Sequence, residues 1–111
     1  MKLETLKKAE EFKQGHLNLV QYFLKKGCKF QVIDLETDKR TVSFNYEEIK
    51  SLIDNEFGTE THLWIIKGDK LISRVHVIPY NDGLDTIADY TVSKEMETWS
   101  DKFEKTMEQL N

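Results

Sequence analysis

The chain has 111 residues, 39% of them apolar, with 16 basic and 20 acidic side chains, a net charge of −4 and one cysteine. This length predicts one domain, 1–111, with a core large enough to need no staples, and a single thiol excludes an internal disulfide and predicts a cytoplasmic setting. No apolar run exceeds the four residues 63–66, far below the ~20 of a membrane span, and the acidic balance argues against general nucleic-acid binding.

The first element reads as one long helix. At ~100° per residue, Leu3, Leu6, Ala9, Phe12, His16, Leu17, Leu19, Val20, Phe23 and Leu24 share a broad apolar arc, wider than docking on a single surface requires. Gly15 falls on the polar side, where a glycine costs up to ~1 kcal/mol relative to alanine but touches no packing. Gly27 stops the helix, and Lys25 and Lys26 suit its negative end. Cys28, just beyond, has the setting of a small buried hydrophobe.

Strands follow at 29–33 and 41–46. In the second, Val42, Phe44 and Tyr46 alternate cleanly with Thr41, Ser43 and Asn45. Asn45 and Glu48 form a capping pair that opens a short helix, in which Ile49, Leu52, Ile53 and Phe57 share a face and Gly58 ends it.

Residues 63–78 carry a sharper signal. Gly68-Asp69 is a two-residue hairpin loop between β-branched runs, because glycine tolerates the positive φ of a type I′ or II′ turn. A regular hairpin about that turn sets Ile66 opposite Leu71, Trp64 opposite Ser73 and His62 opposite Val75. The other face then holds Leu63, Ile65, Ile72, Arg74, His76 and Ile78. Both faces are apolar, so each needs a cover. A turn cluster at 79–83 leads to a weaker strand at 86–91. The final helix, 93–110, has a narrow seam of Val92, Met96, Trp99, Phe103 and Leu110, with Met107 beside it. The order α-β-β-α-β-β-(β)-α predicts an α+β fold. It has a single antiparallel sheet of four or five strands, long N- and C-terminal helices and one short central helix. Its predicted core unites Phe44, Ile49, Trp64, Ile66 and Val75 with the seam of the last helix.

No chemical motif nominates a catalyst, cofactor or metal site. In this register His62 and His76 lie on opposite faces, and no zinc-type spacing of Cys and His occurs. The acids Asp82, Asp85 and Asp89 sit among turn formers and do not match a calcium loop. Ser73 lacks a nucleophile elbow, and no glycine-rich phosphate loop is present. Charge is nevertheless uneven: residues 1–33 carry a balance of +4, 34–61 of −5, 62–80 of +2 and 81–111 of −5.

The reading that fits is a non-catalytic intracellular protein-interaction module: an adaptor, inhibitor, immunity or chaperone-like protein acting through an apolar surface. The surplus apolar area predicts a homodimer or a protein partner. The contact is expected at His16, Leu17, Val20, Leu24, Leu63, Ile65, Ile72, Arg74 and His76. The alternative is a small enzyme or ligand-binding domain whose pocket lies between sheet and helices and uses His62 or His76 with Arg74. A deep histidine-lined pocket favours the alternative, and a flat apolar patch favours the module.

Overall fold

A computed structural model describes residues 10–54 and 58–110. Among these, α1 (Gly15–Lys25) leads into β1 (Lys29–Asp34) and β2 (Arg40–Ser43), then α2 (Tyr46–Ile53). The hairpin β3 (Thr61–Lys67) and β4 (Lys70–Val77) follows. A 3-10 turn (Gly83–Thr86), β5 (Ile87–Tyr90) and α3 (Lys94–Leu110) complete the chain. The five strands form one antiparallel sheet in the order β2-β1-β3-β4-β5, the α+β architecture expected. No described helix is long and apolar enough to cross a membrane.

All three helices contribute to one core with the sheet. Leu19, Val20 and Phe23 of α1, Ile49 and Ile53 of α2, and Met96, Trp99 and Phe103 of α3 pack with Phe30, Val32, Leu63, Ile65, Val75 and Val77. The stop after α1 is a Schellman arrangement, with Gly27 at φ +84°. The Gly27 N–H donates to Leu24 O and the Cys28 N–H to Phe23 O, so the last carbonyls are satisfied. Cys28 is buried as expected. Asn45 caps α2 by accepting from the Glu48 N–H at 2.9 Å.

The N-terminal helix is not continuous. Residues 10–11 are helical, 12–14 form a turn, and α1 restarts at Gly15. Gly15 is buried, and a Cβ there would stand 2.9 Å from Gly83 O and 3.1 Å from Thr86 Oγ1. The helix breaks so that its backbone can meet the 3-10 turn, where the His16 N–H donates to Thr86 Oγ1 at 2.9 Å. Asn18 then ties the break to the last helix. Its amide donates to Phe12 O, and its Oδ1 accepts from Trp99 Nε1 at 2.9 Å. The predicted members Leu3, Leu6 and Ala9 lie outside the described residues, as does Phe57.

Other boundaries moved for local reasons. The short helix ends at Ile53 rather than at Gly58, with Asp54 as its C-cap, and the Asp54 carboxylate pairs with His16 Nε2 at 2.8 Å. In β2 the alternation holds but its phase is inverted. Ser43 and Thr41 face inward opposite the bulky Phe30 and Val32, while Val42 is exposed and Phe44, past the strand end, is 81% exposed. Val92 is exposed too, so the seam of α3 begins at Met96.

Candidate functional site

Among the described residues the helices cover one face of the sheet and leave the other open. Strand pairing lays the open face out as cross-strand rows. One row runs Val42, Gln31, Trp64, Arg74; the next runs Arg40, Ile33, His62, His76, Asp89; a shorter one runs Lys29, Ile66, Leu71. An antiparallel sheet normally gives its outer face to small polar side chains. Here a tryptophan sits at the centre, between two arginines. The guanidinium of Arg74 lies 4.7 Å from the Trp64 ring centroid and that of Arg40 lies 5.9 Å away. Ile33 is buried among these neighbours although it faces away from the helices.

The hairpin register differs from the regular one. The turn is at Gly68-Asp69 as expected, with positive φ at Gly68 alone among the two, and Ile66 opposes Leu71. A bulge between Ile65 and Ile66 then absorbs one residue of β4. Beyond it Trp64 opposes Arg74 rather than Ser73, Leu63 opposes Val75, and His62 opposes His76. The two imidazoles thus share the open face, edge to face at 5.0 Å. His76 Nε2 also pairs with Glu60 Oε1 at 2.7 Å. Burial, then the neighbouring His76, holds the pKa of His62 below the usual imidazole value.

Most of the expected contact surface is interior. Leu17, Val20, Leu63, Ile65 and Ile72 are buried, and His16 is sealed against Asp54, so none of these six forms an exposed surface. Leu24 is partly buried against the core. Arg74 and His76 are on the open face, joined there by Trp64 and Ile66, which had been expected inside. Val42, Phe44 and Leu71 add exposed apolar area. The inverted phase of β2 turns Val42 outward, and the bulge brings Arg74 and His76 onto the face that holds Trp64 and Ile66.

The hollow at His62, Arg74, His76 and Asp89 encloses about 230 Å³, short of the ~300 Å³ at which ligand pockets begin. It opens away from the helices, so the anticipated pocket between sheet and helices is not formed by these histidines. Ser73, the nearest hydroxyl on β4, faces the core and donates to Thr91 O at 2.8 Å. Among the described residues no three His, Cys, Asp or Glu side chains gather as a metal site. Comparisons with protein families, characterised proteins and solved structures found no match to this chain.

Proposed function

We propose that this chain is a non-catalytic protein-interaction module that binds a protein partner through the helix-free face of its sheet. One observation carries the reading: Trp64, flanked by Arg40 and Arg74, occupies the centre of a sheet face that none of the described helices covers. Tryptophan and arginine are the residue types that dominate protein–protein binding energy, and a surrounding apolar rim excludes water from them. Val42, in the row of Trp64, and Leu71, opposite Ile66, supply part of that rim. A Trp–Arg platform also suits stacked bases, but Glu60 and Asp89 stand beside it and the chain is acidic, which opposes a phosphate backbone. The buried, unpaired thiol of Cys28 suits work in the reducing cytoplasm.

The test is affinity capture from native lysate with three baits: the parent, the double variant Trp64→Ala/Arg74→Glu, and Lys102→Glu on the exposed side of α3. Partners recovered by the parent and by Lys102→Glu, but lost with the double variant, support the assignment. Identical recovery by all three baits removes the open face from consideration. Sedimentation of the same three proteins reports whether the partner is a second copy of the chain.

A further inference from the structure

A separate cavity lies at the opposite edge of the core, where the C-terminal end of α1, the β3–β4 turn and the first turn of α3 converge. Its volume is about 410 Å³, within the range of small-ligand pockets. Lys26, Lys67, Lys70 and Lys94 line it, with Glu95 as the single acid. Glu95 lies 3.6 Å from Lys70, so one positive charge of the four has its counter-charge within the cavity. The two basic stretches of the sequence, 1–33 and 62–80, meet here in space, although the chain as a whole is acidic.

Beneath the ammonium groups the lining is apolar. Phe23 and Ile72 form part of the wall, and Tyr22 carries the Lys26 ammonium over its ring at 5.4 Å. The Cys28 thiol is neutral at physiological pH, its pKa raised mainly by burial. At the end of α1 the Leu24 and Phe23 carbonyls already accept from the Gly27 and Cys28 N–H groups. A cationic rim over an apolar floor is complementary to one kind of small molecule.

We infer that this cavity binds a small organic anion with an apolar, preferably aromatic, body, its carboxylate, sulfonate or phosphate group held by the lysines. The hydrophobic floor provides affinity and the ammonium groups fix orientation, the usual division of labour in small-molecule sites. Because these lysines are solvent-accessible, the charge component weakens as salt rises. This assignment is independent of the open sheet face.

The probe is 8-anilinonaphthalene-1-sulfonate, titrated by fluorescence and by amide chemical-shift mapping on the folded full chain, with inorganic phosphate as a bare-anion control. The expected result is saturable 1:1 binding with shifts centred on Lys26, Cys28, Lys67, Ile72 and Lys94. Phosphate alone should bind far more weakly. Lys67→Glu/Lys70→Glu, at exposed turn-flanking positions, should weaken the probe about tenfold or more while leaving the melting temperature close to the parent's. Tyr22→Ala gives a second reading, lowering affinity for the aromatic probe while leaving the weak phosphate response unchanged. Absence of saturation, affinity indifferent to charge reversal, or shifts mapping to Trp64 and His62 instead would each overturn the assignment.

Discussion

Gly15 and Gly83 meet backbone to backbone: a Cβ on Gly15 would lie 2.9 Å from the Gly83 carbonyl oxygen. This contact brings the start of α1 onto the 3-10 turn before β5, and the adjoining His16–Thr86 hydrogen bond links positions 70 apart in sequence. It also reverses the usual consequence of a helical glycine. Replacement by alanine ordinarily favours a helix by up to ~1 kcal/mol. Here the methyl group meets backbone that cannot rotate away. Gly15→Ala is therefore expected to destabilise the fold by about 1–3 kcal/mol in urea denaturation. A stability equal to or above the parent's would show that the two segments do not touch.

Phe103 anchors the last helix. It is buried, and its ring stacks on Trp99 with centroids 5.4 Å apart. Phe103→Ala should cost about 3–5 kcal/mol, a large part of a typical domain's stability. Val92→Ala, one turn before the buried Met96, should cost far less, since Val92 is 69% exposed. Equal losses in thermal melts would mean that the seam begins earlier than Met96.

The strands, their antiparallel sense, the Gly68 turn and the Gly27 stop were all legible in the sequence, because each rests on a local signal. Gly27 and Gly68 adopt positive φ, a requirement visible in any window containing them. The open face was not legible, for two reasons. Alternation of period two in 41–46 has two phases, and the choice was made by β1, whose Phe30 and Val32 fill the core and leave inward room for Ser43 and Thr41. The bulge at Ile65/Ile66 shifts the parity of β4 by one without a marker residue, and so turned Arg74 and His76 onto the face of Trp64 and set His62 opposite His76. The Gly15 contact was equally hidden, since its partner is remote in the chain. Breadth of the apolar arc on α1 was a true signal. Its cause is enclosure by the sheet, the other helices and the 3-10 turn within one chain.

Acid should reveal the histidine pair. The pKa of His62 is lowered in the folded state by burial and by His76. The unfolded chain therefore takes up this proton more readily. The stability contributed by neutral His62 is complete above the unfolded value of about 6.5 and is lost progressively as pH falls from there towards the folded value. His62→Gln removes that component. Thermal melts from about pH 7 down to about pH 5 should show a smaller fall in Tm for His62→Gln than for the parent. Parallel curves would mean that His62 titrates alike in both states.

Site-specific photo-crosslinking in the native host tests the docking surface most directly. A benzophenone side chain is placed at Val42 or Gln31 on the open face, or at Lys102 on the exposed side of α3. Val42 is 56% exposed and Gln31 lies between Val42 and Trp64 in one cross-strand row, so both positions report on the Trp64 platform. The account predicts a discrete protein adduct from positions 42 and 31, abolished by adding Arg74→Glu, and none from position 102. Adducts confined to position 102, or no adduct from the open face, would contradict it.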